Sequence, residues 1–249
     1  MRRTIERGGV DLVGFDADDT LWRSQEHFDA VEARTAEICQ RHVDLDAAEL
    51  GRRLYAVESR NLATLGYGAK AFTLSLVEHA VAVTDGAITA AEITELVALG
   101  KDLLERPVEL LPDAAEVVAR TAARHPTVLI TKGDLVHQEA KLERSGLAER
   151  FTRVEIVSEK DTATYARILR ELGVRPERFV MVGNSLRSDC APVLALGGAA
   201  VHVPAASVWV HEDVEVPDRS ERLLSVEGLA ALPDALERLG CAAPWAASG

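Results

Sequence analysis

The chain has 249 residues, is 47% hydrophobic and carries a formal net charge of -12 at pH 7. A chain of this length can bury one good core and a smaller second domain, and its hydrophobic content argues against disorder. The negative charge argues against nucleic acid or an anionic membrane as the main partner, and it means that an anionic substrate needs a local positive site.

Cysteine usage and the N-terminus indicate where the protein works. Cys39, Cys190 and Cys241 are few, odd in number and irregularly spaced, so they predict neither a disulfide framework nor a zinc site. No apolar stretch has the length of a signal peptide or a membrane helix. We therefore expect a cytoplasmic protein. We also expect it to be a monomer or a homodimer.

The first predicted element is a short buried strand over residues 10–15. It is followed at once by Asp16, Asp18, Asp19 and Thr20. Ligands bind at the carboxyl ends of strands in open parallel sheets. Carboxylates this close repel one another unless a cation neutralises them. We therefore expect this strand end to belong to a functional site.

Residues 22–107 predict four helices with no strand between them. Apolar residues at helical spacing predict the first helix at 25–42 and a second that ends at Gly66. A third is predicted at 71–83, and Thr89 to Glu92 form a capping box that opens the fourth.

After this block, strands and helices alternate. Such alternation predicts an α/β fold with a doubly wound parallel sheet. We expect residues 1–21 and 108–249 to form this domain, with 22–107 inserted as a helical domain. The remaining strands are predicted at 127–130, 154–157, 179–182, 199–203 and 222–226.

Polar residues follow three more of these strands. Thr131 and Lys132 follow the second, Lys160 the third, and Asn184 and Asp189 the fourth. Because parallel strands end at one edge of a sheet, these side chains can converge on the acids after the first strand. A carboxylate can act as a nucleophile, and a second can serve as acid and base. Lysine supplies a compact positive charge, and acids can bind Mg²⁺.

These strand ends resemble, in order, the four motifs of haloacid dehalogenase-like (HAD) hydrolases. The stretch from Asp16 to Thr20 resembles motif one, Thr131 motif two, Lys160 motif three, and 183–189 motif four. The helical insert resembles the helical cap of this superfamily. The resemblance covers residues 10 to about 203 and implies a phosphatase that acts on a small phosphorylated substrate, such as a nucleoside monophosphate or a sugar phosphate.

The resemblance also implies roles for individual residues. Asp16 resembles the nucleophile and Asp18 the general acid and base, with Thr131 and Lys160 completing the catalytic set. Mg²⁺ is the implied cofactor, with Asp16, the backbone carbonyl of Asp18, Asn184 and Asp189 as its ligands. Further candidates for binding substrate or phosphate are Thr20, Trp22, Arg23, Lys70, Lys132 and Gly133.

Two departures from the family pattern bear on these roles. Family members usually have an acid where Asn184 stands, so this site has an oxygen ligand there without its charge. The proline that often follows the motif-three lysine is replaced by Asp161. The sequence also predicts a helix over about 189–196 after the fourth strand, so a helix cap is an equally good interpretation of Asp189. Trp209 and His211, in a long segment after the fifth strand, are as consistent with packing as with function.

Three other functions remain open. Haloacid dehalogenases share this fold, but their motif one resembles a pattern in which the residue at the position of Asp18 is not an acid. Asp18 therefore argues against this function. A phosphomutase shares all four motifs and differs in what accepts the phosphoryl group. A binding protein that has lost activity is supported by Asn184 alone.

Overall fold

A computed structural model of the chain describes residues 10–205 and 221–240. Trp209, His211 and Cys241 lie outside the described residues. The described part contains a six-stranded sheet with the strand order β3-β2-β1-β4-β5-β6. The strands are β1 (Leu12–Phe15), β2 (Thr127–Lys132), β3 (Arg153–Val157), β4 (Phe179–Gly183), β5 (Ala199–His202) and β6 (Leu223–Ser225).

Strand β1 occupies the centre of the sheet, between β2 and β4. It pairs in parallel with both, so that Phe15 lies opposite Leu129 on one side and Val182 on the other. β4 and β5 pair in parallel, as do β5 and β6. All four residues of β1 are buried, as expected of a central strand covered on both faces. The predicted doubly wound parallel sheet is confirmed.

The sheet and its helices share an apolar core. Buried side chains of β1, β2 and β4, among them Leu12, Ile130 and Met181, pack with Tyr165 and Ile168 of a following helix. The helices that alternate with the strands are α5 (Ala114–Ala122), α6 (Leu135–Ser145), α7 (Thr162–Leu172), α8 (Ala191–Ala195) and α9 (Leu232–Arg238).

Residues 24–108 contain four helices and no strand, which confirms the predicted helical character of this block. The predicted capping box is present, because the Thr89 hydroxyl accepts from the Glu92 N–H while the Glu92 carboxylate accepts from the Thr89 N–H. The helices have their own apolar clusters, centred on residues such as Ile38, Leu50 and Leu76. They are α1 (Gln25–Cys39), α2 (Ala47–Leu65), α3 (Ala69–Val83) and α4 (Ala90–Glu105).

The chain divides into two compact units. Among the described residues, the α/β unit comprises 10–23, 109–131, 145–205 and 221–240, and the helical unit comprises 24–108 together with 132–144. The sequence had placed the last of these segments in the α/β domain. Within the helical unit, Lys70 Nζ lies 3.0 Å from both carboxylate oxygens of Asp134, which holds that segment against α3. The assignment of 22–107 as a cap remains a prediction. No helix in the described ranges is long and apolar enough to cross a membrane.

Candidate active site

Asp16 is the first residue after the central strand and is 6% exposed. Its backbone N–H donates to the carbonyl of Val182 at 2.9 Å, so the pairing of β1 with β4 fixes its position. The Thr20 hydroxyl donates to Oδ2 at 2.9 Å, and the Lys160 ammonium group forms an ion pair with Oδ1. Asp16 is therefore a buried carboxylate with a hydrogen-bond donor at each oxygen.

Lys160 joins two carboxylates that come from different strand ends. Its ammonium group contacts Asp16 and lies 2.7 Å from Oδ1 of Asp189. Burial lowers the pKa of Lys160, but the charges of Asp16 and Asp189 outweigh this effect, so the pKa lies above its ordinary value. Burial raises the pKa of Asp189, and Lys160 opposes that rise. Removing Lys160 would leave two buried carboxylates without their cation, which is costly.

Asp189 lies in a π-helical turn over Leu186–Cys190, which precedes α8. The sequence predicted one regular helix over about 189–196, with Asp189 as a candidate cap. In the structure, the extra residue of the turn directs Asp189 back toward β4, and its Oδ2 accepts from the Ser185 N–H at 3.0 Å. A Cβ atom at Gly183 would overlap this carboxylate, so glycine is required there.

Thr20 links motif one to motif four. The Asn184 N–H donates to the Thr20 hydroxyl oxygen at 3.0 Å, and that oxygen lies 3.3 Å from Asn184 Oδ1. Since the hydroxyl has one proton, the nearer and charged Asp16 is its better acceptor. The backbone carbonyl oxygen of Asn184 lies 3.0 Å from Nε2 of His202.

Asp18 is held by the tryptophan four residues further along the chain. The indole Nε1–H of Trp22 donates to Asp18 Oδ1 at 2.6 Å. Between them, Asp19 adopts a left-handed conformation with φ of 60°, and its N–H donates to the Trp22 carbonyl at 2.7 Å. Trp22 is 1% exposed and lies beside Asp18, and its contact with the substrate remains a prediction.

The remaining candidates are distributed over both units. Thr131 is buried at the end of β2 in the α/β unit. Arg23 lies 3.9 Å from Glu109 in an exposed ion pair. In the helical unit, Lys132 Nζ lies 4.4 Å from the centre of the Tyr67 ring. Gly133 has φ of 135°, and Lys70 pairs with Asp134, as described above.

Two contributors to this site were not singled out from the sequence. Ser185 supplies the backbone N–H that holds Asp189, and any residue type except proline could do so. His202 ends β5 and contacts the Asn184 backbone. Its position at the end of a parallel strand is the sequence feature that points to a place in the site.

The oxygen atoms around Asp16 suit a hard cation. The carboxylate of Asp16 and the side-chain oxygen of Asn184 are both close to the Thr20 hydroxyl, and Mg²⁺ prefers oxygen ligands. Within residues 10–205 and 221–240, however, no group of three or more His, Cys, Asp or Glu residues is arranged to hold a metal. The donor set therefore fits Mg²⁺ by ligand type and is poor in negative charge.

Comparison with known proteins defines the class of protein. The family model of haloacid dehalogenase-like hydrolases matches residues 10–197. A haloacid dehalogenase-like family hydrolase from Xanthomonas campestris is 45% identical, with a TM-score of 0.84 over 93% of this chain and 92% of its own. A search of curated protein sequences finds no match.

Two less similar structures share the fold. The 2-haloacid dehalogenase of Pseudomonas syringae is 23% identical, with a TM-score of 0.60 over 92% of this chain and 99% of its own. The HAD-hydrolase YfnB of Bacillus subtilis, bound to magnesium, is 14% identical, with a TM-score of 0.62 and coverage of 92% and 99%. The chain is a hydrolase whose core is a parallel sheet with flanking helices, and it belongs to the haloacid dehalogenase-like hydrolase family.

Proposed function

We propose that the protein is a Mg²⁺-dependent phosphatase that hydrolyses a small phosphomonoester through an aspartyl phosphate on Asp16. The observation that carries the proposal is the pair formed by Asp16 and Asp18. Asp16 is buried between two donors, and Asp18 lies two residues away with its own donor in Trp22. Phosphate esters with poor leaving groups need such a second carboxyl group, because the departing oxygen must be protonated.

The reaction would proceed in two steps. An oxygen of Asp16 attacks phosphorus while the bond from phosphorus to the leaving oxygen breaks, and the Asp18 carboxyl group donates its proton to that oxygen. Asp18 then removes a proton from water, the resulting hydroxide attacks the same phosphorus, and phosphate leaves with Asp16 restored. Thr131 and the backbone N–H groups after β1 are the proposed phosphate ligands.

Asp16, the backbone carbonyl of Asp18 and Asn184 are the groups that would hold Mg²⁺, with the charge of Asp189 nearby. When bound, the ion offsets the negative charge of the phosphoryl oxygens. The role of Lys160 is to hold Asp16 and Asp189 in place, because it carries the only positive charge that either carboxylate is seen to contact among the described residues.

Haloacid dehalogenation is the second candidate, and Asn184 favours it. A dehalogenase would also use Asp16 as the nucleophile, but a halide leaves as an anion and needs neither a proton from Asp18 nor a metal. An amide at position 184, where the family usually has an acid, suits that chemistry. Asp18 is the feature that it does not explain.

One preparation tested on two substrate panels distinguishes the candidates. We expect phosphate release from at least one small phosphomonoester in Mg²⁺, its loss in EDTA, and no halide release from 2-haloacids. Asp16→Asn should abolish turnover in either case, and Asp18→Asn should slow phosphate release by roughly a hundredfold or more. Halide release that persists in EDTA and in Asp18→Asn would instead establish the dehalogenase.

A further inference from the structure

The hydrogen bond from Trp22 to Asp18 has not yet been given a function. Of the two acids of motif one, Asp16 is held by Thr20 and Lys160, whereas Asp18 receives a hydrogen bond from an indole. The bond is 2.6 Å long, which is short for a nitrogen donor and characteristic of a bond to a charged acceptor.

The backbone on both sides of Trp22 fixes the position of the indole. The N–H of Arg23 donates to the Glu109 carbonyl at 3.0 Å, and the N–H of Leu111 donates to the Leu21 carbonyl at 2.9 Å. Trp22 itself forms an antiparallel bridge with Leu110. With its side chain 1% exposed, the ring has little freedom to move, so it provides a fixed donor against which the shorter Asp18 side chain must orient.

A fixed donor at Oδ1 limits the orientations that are open to the Asp18 carboxyl group. A general acid works only if its proton can reach the leaving oxygen, so the orientation of this group affects the rate.

We infer that Trp22 is a positioning residue for leaving-group protonation: it holds Asp18 Oδ1 and so fixes the orientation of the carboxyl group that protonates the departing oxygen. This inference rests on the proposed phosphatase function, because halide departure needs no proton. The competing interpretation is that Asp18 merely satisfies a buried indole N–H, which itself requires a partner.

The leaving group separates these interpretations. 4-Nitrophenolate departs without a proton, whereas the alkoxide released from benzyl phosphate requires one. Trp22→Phe keeps an aromatic ring and removes the N–H donor. We expect kcat for benzyl phosphate to fall roughly tenfold, and kcat for 4-nitrophenyl phosphate to fall less than about twofold, with KM nearly unchanged for both.

Two further variants make the test specific. Leu21 is buried next to Trp22 and has no polar side-chain atom, so Leu21→Val should affect both substrates by the same factor. In the Asp18→Asn background, Trp22→Phe should have no further differential effect, since the proton it positions is absent. Equal losses on both substrates in Trp22→Phe would overturn the inference.

A spectroscopic measurement decides the contact even if neither ester is a substrate of the enzyme. The indole N–H resonance of Trp22 in a ¹H–¹⁵N spectrum can be identified by its loss in Trp22→Phe. It should move upfield in Asp18→Ala, which removes the acceptor, and should stay in place in Leu21→Val. An unmoved resonance in Asp18→Ala would overturn the inference, whatever the substrate of the enzyme.

Discussion

Lys160 is the residue on which the charge balance of the site depends. It is 4% exposed and contacts two carboxylates, one from the end of β1 and one from the turn after β4. When all three groups are charged, they carry one net negative charge. Without the lysine, the two carboxylates would place two negative charges in a buried site. The lysine therefore stabilises the fold of the α/β unit as well as the position of Asp16.

We predict that Lys160→Met lowers the free energy of unfolding by about 3–5 kcal/mol, because it leaves two buried carboxylates without their cation. Adding Asp189→Asn to the same chain should recover part of this loss, since one of the unpaired charges is then removed. Urea unfolding of the parent and the variants measures both effects.

Lys101→Met is the matched surface control, because Lys101 is exposed on α4 and should change stability by no more than about 0.5 kcal/mol. If the losses from Lys160→Met and Asp189→Asn simply add, the two side chains are not coupled and the charge-balance argument is wrong.

Sequence patterns predicted which side chains converge but not which contacts they make. The rule that parallel strands end at one edge was enough to associate Asp16, Lys160 and Asp189, because it depends only on strand direction. The rule cannot give the direction of a side chain such as Trp22. That direction depends on the left-handed backbone at Asp19 and on pairing with residues 109–111, which are distant in the sequence.

At the level of elements, the helical unit depends on a close approach of α3 and α4. Gly100 lies within α4, and a Cβ atom there would overlap the side chain of Thr73 on α3. The Thr73 hydroxyl donates to the Ala69 carbonyl at 2.6 Å, which fixes its rotamer against this position. Glycine in a helix ordinarily costs about 1 kcal/mol relative to alanine, so its presence here reflects packing rather than helix propensity.

We therefore predict that Gly100→Ala destabilises the protein by about 1–3 kcal/mol instead of stabilising it, because overpacking outweighs the gain in helix propensity. Thr73→Ala in the same chain should restore much of the loss, since it removes the atoms nearest to the new methyl group. Thermal unfolding followed by circular dichroism measures the sign. Stabilisation by Gly100→Ala alone would show that the two helices separate easily.

The elements that the sequence misjudged share one cause. The predicted helix over about 189–196 begins as a π-helical turn, because the Asp189 carboxylate reaches the Ser185 N–H and the Lys160 ammonium group. Segment 132–144 groups with the helical unit through pairs such as Lys70 with Asp134. Both outcomes depend on tertiary contacts, and a local pattern of apolar residues carries no information about them.

At the scale of the whole molecule, the net charge of -12 opposes an anionic substrate. Salt weakens this repulsion, because the Debye length falls from about 30 Å at 0.01 M to about 8 Å at 0.15 M ionic strength. Under the proposed function, kcat/KM for a phosphomonoester should rise roughly two- to threefold over this range at constant free Mg²⁺, while kcat stays nearly constant. Steady-state kinetics at several NaCl concentrations test this expectation, and a steady fall in kcat/KM would show that a local positive field dominates the approach of the substrate.

The position of β1 at the centre of the sheet has a consequence for synthesis on the ribosome. The Thr20 hydroxyl and its partner Asn184 are 164 residues apart in the chain. At about 5–20 residues per second, roughly 10–30 s separate their appearance, and β1 lacks at least one of its two neighbouring strands until β4 has been made. The nascent chain therefore exposes a fully buried strand before all the residues that cover it exist, and early binding by a chaperone would protect it.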